Sequence, residues 1–599
     1  MIDRHKHLLT PLPQGPVFKR LLDYAKPHWK WLTIAMILLI GGTGAELIGP
    51  ILIKIFIDDF LTPRVFEFQP LLLLGAGYLF LHFSAAIMNY SQLLLFQKIA
   101  LKIIQKLRID IFAKVEKLGL SFFDQFPTGG LVSRITNDTE QVKELYVSVM
   151  ATFIQNIVFL VGVFIAMFYL NPQLALFCLV LLPMILTIMH LYRKFSSKYY
   201  AEMSEKLSEL NARLNESIQG MTIIQLFRQE RRMNREFQEI NEGHHQAWYK
   251  SMKLDGLLLR PAVDFISIIA LVLVLTFFGI TSLNNPVEIG VLYAFVNYLD
   301  RFFEPVNQIM QRLSIFQQAM ISAGRVFRLM DHDELAPQKQ GTNEPIVSQG
   351  DIEFRNVTFS YDGKQDVLKN ISFKVNKGET LALVGHTGSG KSSIINLLMR
   401  FYSIEQGEIL IDGQPIESYT NKELREKIGL VMQDPFLFVG DVKHNIRLFD
   451  DTMTEAKVKE AAEFVHADSF ISKLPKGYDH PVGERGSTFS SGQRQLLSFA
   501  RTMAKAPKIL VLDEATASVD TETETEIQLA LEKMRKGRTT IAIAHRLSTI
   551  KNADHILVLH QGQVVEQGNH KELLKQKGLY EKMYLLQQGA EKLEESPSN

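Results

Sequence analysis

A short glycine-containing segment has the residue types and spacing of a phosphate-binding loop. Residues 385–392 read GHTGSGKS and fit the pattern GxxxxGK[ST], with an apolar strand predicted before the loop and a helix after it. In such a loop the glycines let backbone N–H groups surround phosphates, while Lys391 reaches the β- and γ-phosphates and the Ser392 hydroxyl binds Mg²⁺. The candidate nucleotide contacts are Gly385, Thr387, Gly388, Ser389, Gly390, Lys391, Ser392 and Ser393.

Further apolar strands end on side chains that suit phosphate chemistry. Residues 508–520, KILVLDEATASVD, read as a buried parallel strand that ends on Asp513 and Glu514. We expect Asp513 to hold Mg²⁺, directly or through water, and Glu514 to polarise the attacking water as general base. The strand TTIAIAH ends on His545, which would donate to a γ-phosphate, and IGLVM precedes Gln433, which would sense metal and water. Each side chain alone could be a solvated or structural strand end, but their shared crevice favours the functional interpretation.

Two more segments carry weaker signals. Tyr361, in FSYDG, is an aromatic residue just ahead of the nucleotide core, and it would either stack on adenine or pack in the core. Ser490-Ser491-Gly492-Gln493 fits the S-x-x-Q capping box at the start of a helix. The unpaired N–H groups and positive end of that helix would suit an anion, although the match by itself predicts only a helix start.

Composition sets broad limits on the class of protein. At 599 residues the chain is too long for one domain. A formal net charge of +1 indicates no nucleic-acid partner, and the single cysteine, Cys178, excludes an internal disulfide. The polar, proline-broken N-terminus does not have the form of a signal peptide.

The first half of the chain contains apolar runs long enough to cross a bilayer, which takes about 20 residues each. We predict six spans, at about 32–55, 70–96, 150–170, 174–193, 257–281 and 287–316. The two long connections between spans are rich in Lys and Arg, so we expect them to be cytoplasmic. Because the number of spans is even, both termini and the second half would lie on the same cytoplasmic side.

These patterns predict an α-helical six-span transmembrane domain followed by an α/β P-loop nucleotide-binding domain. The long connections keep helical spacing of apolar residues, so we expect them to continue the spanning helices into the cytoplasm. The predicted divisions are a cytoplasmic N-terminal segment at 1–31, the transmembrane domain at 32–320, a linker at 321–350, the ATP-binding domain at 351–585 and a disordered tail at 586–599.

The order of these motifs resembles that of the ATP-binding-cassette (ABC) transporter superfamily, specifically the half-transporters among its type I exporters. The likeness spans about residues 18–585 and rests on Tyr361, GHTGSGKSS, VMQDPFLF with Gln433, FSSGQRQ, ILVLDEA with Asp520, and His545. The resemblance implies an ATP hydrolase coupled to transport, in which two half-transporters pair in the cell (cytoplasmic) membrane. ATP and Mg²⁺ would then lie between the glycine loop of one chain and the FSSGQ segment of the other.

The resemblance also implies roles for residues that spacing alone leaves open. Ser490, Gly492 and Gln493 would grip the γ-phosphate of ATP held by the partner chain, and Asp520 would lie near the dimer contact. The cytoplasmic tips at about 122–134 and 213–222 resemble the coupling helices that carry motion to the membrane.

One motif departs from the family pattern. The usual signature is LSGGQ, and here Phe489 and Ser491 replace its first and third residues while Asp513 and Glu514 stay intact. This combination resembles one subunit of bacterial heterodimeric exporters, so a heterodimer is favoured, and a homodimer that tolerates serine is the alternative. Family analogy suggests amphipathic drugs or lipids as substrates, with multidrug efflux the commonest role. A lipid or drug flippase, an ATP-gated channel and a silent regulatory subunit are further alternatives.

Ionisable residues within the predicted spans are costly and therefore raise a functional suspicion. Arg260 with Asp264, and Arg301 with Glu304, are spaced to neutralise each other on one helix face. Glu46 has no partner in its own helix and would meet either another span or a cationic substrate. Asp300 is a further candidate of undefined role.

Overall fold

The computed structural model describes residues 13–259, 261–283, 288–342, 344–513, 521–543 and 550–594. The chain forms two compact units. The membrane unit comprises Ile2–Glu116 and Thr128–His332, and the nucleotide unit comprises Lys117–Pro127 and Asp333–Asn599. A short segment from the first half of the chain therefore belongs to the nucleotide unit.

Helices make up the first 330 residues. In chain order they are α1 (Gln14–Ala25), α2 (Trp29–Ile55), α3 (Phe68–Val115), α4 (Leu120–Gln125), α5 (Thr128–Ser133), α6 (Thr139–Glu144), α7 (Ala151–Leu170), α8 (Pro172–Gln219), α9 (Met221–Leu226), α10 (Glu230–Leu254), α11 (Pro261–Ser282) and α12 (Ile289–Met330). Short π-helical segments extend or join several of them, as Phe56–Leu61 extends α2 and Leu145–Met150 joins α6 to α7.

Four helical runs among the described residues are long and apolar enough to cross a membrane, namely Gly15–Leu61, Phe68–Val115, Thr128–Leu170 and Glu230–Ser282. They contain the first, second, third and fifth predicted spans. The fourth predicted span lies within α8, and the sixth lies within α12 from Ile289 onward. As expected, α3 and α8 continue well past the predicted spans as single helices.

Two helices end beyond the boundaries that the sequence predicted for the domains. Helix α12 runs to Met330, so helical structure extends beyond the predicted division at residue 320. The last helix of the chain ends at Glu594 and therefore enters the segment predicted as a disordered tail. The sequence GAEKLE in that region consists mainly of strong helix formers, which explains the extension.

Polar contacts inside the membrane unit answer part of the question about ionisable residues. Glu46 in α2 meets another span, because Asn89 Nδ2 in α3 donates to Glu46 Oε1 at 2.6 Å. The predicted pairing of Arg301 with Glu304 is wrong. Arg301 donates to the backbone carbonyl of Glu46 at 3.4 Å, while Glu304 accepts from Gln308 one turn away.

The other intramembrane residues leave their predictions open. Arg260 lies outside the described residues, so its pairing with Asp264 stays a prediction. Asp264 lies in the first turn of α11, and Asp300 is exposed in α12.

The nucleotide unit is built on β-sheets. In chain order its strands are β1 (Ile352–Phe359), β2 (Leu368–Val375), β3 (Thr380–Val384), β4 (Gln406–Ile411), β5 (Gln414–Pro415), β6 (Ile428–Val431), β7 (Gly440–Asp441), β8 (Pro481–Val482), β9 (Ile509–Asp513), β10 (Thr539–Ile543), β11 (His555–His560) and β12 (Gln563–Gly568). The central sheet has the order β12-β11-β3-β10-β9-β6, and a second sheet has the order β2-β1-β4-β5.

Helices of this unit connect and cover the strands. In chain order they are α13 (Lys391–Leu398), α14 (Asn421–Lys427), α15 (Val442–Arg447), α16 (Glu455–Phe464), α17 (Asp468–Ile471), α18 (Ser491–Met503), α19 (Thr521–Arg535), α20 (His570–Gln576) and α21 (Leu579–Glu594).

The central strands are parallel from β11 to β6, and β12 is antiparallel at the edge. Alternate residues of β9 pack into different cores. Ile509 and Val511 join the cluster that contains the apolar face of α13, whereas Leu510 and Leu512 join the cluster that contains α18. This burial on both faces explains why the strand reads as a continuous apolar run.

A single carboxylate fastens the end of the linker to the second sheet. Asp412, in the turn between β4 and β5, accepts four consecutive backbone N–H groups from residues 348–351 at 2.7–3.0 Å. Burial tends to raise the pKa of Asp412, but these donors outweigh it and hold the pKa below its usual value. The chain thus enters β1 in a defined position.

Candidate functional site

The predicted phosphate loop connects the end of β3 to the start of α13. Gly388 and Gly390 have φ values of +81° and +105°, which an L-residue with a side chain rarely adopts. Gly385 has no such φ, but a Cβ there would lie closer than 3.0 Å to both the Leu559 carbonyl oxygen and Ser389 Oγ. Glycine at 385 is therefore required by space, and the backbone passes where a side chain would fill the cradle.

Two polar side chains of the loop are buried inside it. Lys391 is 7% exposed, and its Nζ donates to the carbonyls of Gly385 at 2.6 Å and His386 at 3.0 Å. Ser389 is 4% exposed, and its Oγ has no hydrogen-bond partner among the described residues. A buried hydroxyl without a partner is costly. The Ser389 hydroxyl and the N–H groups of the loop at the start of α13 are suited to bind a phosphate.

Tyr361 lies beside this loop. Its hydroxyl donates to Ser393 Oγ in α13 at 3.0 Å, and Asn396 Nδ2 donates to the tyrosine oxygen at 3.2 Å. The Tyr361 ring remains 37% exposed, so one part of it is available to a ligand. Stacking on adenine needs an exposed ring face, and this role of Tyr361 stays a prediction.

The strand-end candidates share the edge of the sheet from which the loop emerges. Asp513 is the last residue of β9 and pairs in register with Ile543 of β10, which pairs with Leu383 of β3. Gln433 follows β6 by two residues and is exposed at the same edge. Carboxyl ends of parallel strands form the ligand crevice in such sheets.

Three predicted site residues cannot be placed. Glu514, Asp520 and His545 lie outside the described residues, so their roles stay predictions.

The capping box predicted from FSSGQRQ is present. Ser490 Oγ accepts from Gln493 N at 3.2 Å, and Gln493 Oε1 accepts from Ser490 N at 3.1 Å, at the start of α18. Phe489 is 5% exposed and packs edge-on against the rings of Phe470 and His480. Ser491 has a negative φ, so the backbone there does not itself require the glycine of the usual signature.

Arg501 is a site residue that the sequence analysis missed. It lies in α18, and its guanidinium donates to the Phe436 carbonyl at 2.8 Å and to the carbonyl and side-chain oxygens of Asn445 at 2.9 and 3.0 Å. Burial lowers the pKa of Arg501 to about 10, so it stays charged at neutral pH. It connects the helix that follows FSSGQ to the segment that follows Gln433. No local spacing points to these partners, because they lie 56 and 65 residues away in the chain.

Comparison with known proteins identifies the family. A model described as "ABC transporter transmembrane region" matches residues 32–306, and one described as "ABC transporter" matches residues 368–517. The chain belongs to the ABC transporter family. This transporter is 45% identical over 577 residues to the "Putative ABC transporter ATP-binding protein exp8" of Streptococcus pneumoniae, covering 96% of this chain and 98% of that protein.

Two further relatives refine the match. The transporter is 48% identical over 503 residues to the "Probable multidrug resistance ABC transporter ATP-binding/permease protein YheH" of Bacillus subtilis, covering 84% of this chain and 74% of that protein. It superposes on a solved bacterial Atm1-family ABC exporter with ATP bound, with a TM-score of 0.78 and 29% identity, covering 95% of this chain and 99% of the other.

These matches confirm the predicted fold class and the resemblance to exporter half-transporters. The protein is an ABC exporter that binds ATP and couples its hydrolysis to transport across a membrane. Exporters of this kind work as dimers in a lipid bilayer.

Proposed function

We propose that this chain is the catalytically competent subunit of a heterodimeric exporter of amphipathic small molecules. It would supply Lys391, Asp513 and Glu514 to the active ATP site and its own FSSGQ segment to a second, degenerate site. The observation that carries the proposal is an altered signature, with Phe489 and Ser491, in a chain that keeps the Asp513-Glu514 pair. The multidrug-resistance name of a relative that is 48% identical supports the substrate class.

The packing around the signature supports the idea that its change is accommodated rather than damaging. Phe489 is buried among other rings, and the capping box of α18 is complete. The extra Cβ of Ser491 therefore matters only where a phosphate of the partner chain would approach the backbone. That places its effect on the composite site and leaves the folding of α18 unaffected.

The proposed nucleotide site uses groups with distinct tasks. The loop amides and Lys391 would bind the phosphates, Tyr361 would stack on adenine, and Glu514 would accept the proton of the attacking water. Ser392, Asp513 and Gln433 would hold Mg²⁺, because their hydroxyl, carboxylate and amide oxygens are the hard donors that this ion prefers. When bound, the ion would neutralise negative charge on the phosphates. His545 and Asp520 would complete the site at the γ-phosphate and the dimer contact.

An exposed apolar tip on the membrane unit favours the proposal that this chain pairs with a partner chain. Helix α9 begins at Met221, with one residue between it and the end of α8, so it overlaps only the last part of the predicted tip at 213–222, and most of that range lies inside α8. Ile223, Leu226 and Phe227 around α9 are 63%, 74% and 66% exposed. Contiguous exposed apolar side chains of this kind mark an interaction surface. We propose that this tip docks on the nucleotide unit of the partner, with both termini and both nucleotide units on the cytoplasmic side of the cell membrane.

Mg²⁺-dependent ATPase activity of the full chain, purified alone in lipid nanodiscs, tests the proposal. We expect ATP binding with negligible turnover, because the FSSGQ segment that would face the active site in a homodimer is altered. Restoring the usual residue with Ser491→Gly should then raise the turnover of the chain alone, whereas Glu514→Gln should abolish any activity.

Robust turnover of the chain alone, lost in Glu514→Gln and unchanged in Ser491→Gly, would contradict the heterodimer and establish a homodimer. Uphill uptake of a fluorescent amphipathic cation into inside-out vesicles, driven by ATP, separates a pump from an ATP-gated channel. Only a pump accumulates the dye against its gradient.

A further inference from the structure

Tyr402 lies between the candidate adenine site and the short helix α4. Its side chain is buried, with 8% exposure, and its ring lies edge-on to Tyr361 at a centroid distance of 4.9 Å and to Phe359 at 5.7 Å. Its hydroxyl donates a hydrogen bond to Asp124 Oδ2 in α4. All of these residues belong to the nucleotide unit.

The backbone around Tyr402 is held firmly. Tyr402 follows α13, the helix that begins at the phosphate loop, by one tight turn in which Arg400 has a φ of +49°. The buried Arg400 guanidinium donates to the carbonyls of Ile416 and Tyr419 at 3.0 and 2.7 Å. The tyrosine ring is thus presented from a rigid turn, and its position depends on α13 and on the ring of Tyr361.

Asp124 is bound to Tyr402 by this hydrogen bond alone in the described part of the chain. Asp124 is exposed, and the protein atoms that cover part of its carboxylate raise its pKa above the usual value. Among the described residues Tyr402 is the only hydrogen-bond donor to that carboxylate. This hydrogen bond is the contact through which Tyr402 can act on α4.

Helix α4 is anchored independently of Tyr402. Leu118 forms a β-bridge with Leu335 of the linker, in which Gly119 N donates to the Glu334 carbonyl and Ala336 N to the Lys117 carbonyl, both at 3.0 Å. Phe122 is buried, with 2% exposure. Removing the Tyr402 hydroxyl should therefore leave α4 attached to the nucleotide unit.

We propose that Tyr402 is a positioning residue that reports occupancy of the adenine site to α4 through its hydrogen bond with Asp124. Adenine stacked on Tyr361 restricts that ring, the edge-on contact restricts the ring of Tyr402, and the hydroxyl is then held toward Asp124. Residues 116–119 connect α4 to α3, which contains the second predicted span, so a change in α4 can reach the membrane unit through the chain itself. The inference rests on the proposed role of Tyr361 in binding adenine.

Hydrogen exchange of residues 117–127 in the full chain in nanodiscs tests this, with and without Mg²⁺-ATP, in a Glu514→Gln background that retains the nucleotide. ATP should slow exchange in this segment of the otherwise unchanged chain. Tyr402→Phe keeps the ring but not the hydroxyl, so it should bind ATP within twofold of the reference affinity. The slowing of exchange that ATP causes in residues 117–127 should be at least about tenfold smaller in this variant than in the reference chain.

Variants of the acceptor provide the matched control. Asp124→Ala should behave as Tyr402→Phe does, and the double variant should be no worse than either single one, because all three lack the same hydrogen bond. Asp124→Asn should retain the response, because its amide oxygen still accepts from the tyrosine hydroxyl.

The proposal is overturned if Tyr402→Phe keeps the ATP response, if its effect adds to that of Asp124→Ala, or if it weakens ATP binding as much as it weakens the response. It is also overturned if ATP binds to the reference chain without changing exchange at 117–127. These readouts need ATP binding only, so a failure of the heterodimer proposal in the ATPase assay is a separate result.

Discussion

Replacing Gly385 by alanine tests whether the phosphate loop is shaped by space or by backbone conformation. The new Cβ would lie closer than 3.0 Å to the carbonyl oxygen of Leu559 in β11, which the sheet holds in place next to β3. Since the oxygen cannot move away, the loop must shift. Overpacking of this kind costs about 2–3 kcal/mol, so we expect ATP affinity to fall about 30- to 150-fold. Binding of a fluorescent ATP analogue to the full chain in nanodiscs measures the loss.

Gly388→Ala is the matched control, because it has the opposite properties. Its φ is +81°, but a Cβ there meets nothing within 4 Å. Strain in the left-handed region costs about 1–2 kcal/mol, so ATP affinity should fall about 5- to 30-fold. If Gly388→Ala weakened ATP binding more than Gly385→Ala, or if Gly385→Ala bound ATP normally, the steric reasoning would be refuted.

Two further predictions concern stability. Asp412→Asn should destabilise the linker attachment by about 2–3 kcal/mol, because an amide loses two of the four backbone bonds, and exchange at 348–351 should rise about 30- to 150-fold. The pKa of Asp412 lies below its usual value. The difference in stability between the chain with Asp412 and the Asp412→Asn variant should therefore reach its full size above the unfolded pKa near 4. It should disappear as the pH falls through the lower pKa of the folded state. Asp450→Asn, at a turn aspartate that accepts from the Thr452 backbone N–H, is the control, and equal effects of both would refute the argument. Ser490→Ala should remove about 1 kcal/mol from the start of α18, seen as faster exchange near Gln493, with ATP affinity unchanged. A loss of ATP binding to its own loop would contradict the proposed placement of that segment.

Much of the candidate site could be predicted because its signals are local in the chain. The phosphate loop needs particular φ values and free space within eight residues, so its glycines identify it directly. The capping box is likewise complete within four residues, and both of its hydrogen bonds are present. The apolar runs that predict membrane helices depend only on length and composition.

Where the structure differs from the predictions, local and distant partners compete for the same residues. Arg301 and Glu304 have the spacing of an ion pair on one helix, yet Arg301 turns to the backbone of Glu46 in another helix. The tail residues near Glu594 look solvated by composition, yet they continue a helix that starts at Leu579. Helical spacing states which contacts are possible, and packing selects among them.

The sequence by itself determined the class of the protein and its ATP-binding domain, because short motifs and long apolar runs carry that information without reference to the rest of the chain. Only the tertiary structure decided that Tyr402 joins Asp124, that Asp412 binds residues 348–351, and that Arg501 binds the segment after Gln433. These partners are separated by tens to hundreds of residues. Their meeting depends on strand order and on the packing of two cores, which no local spacing records.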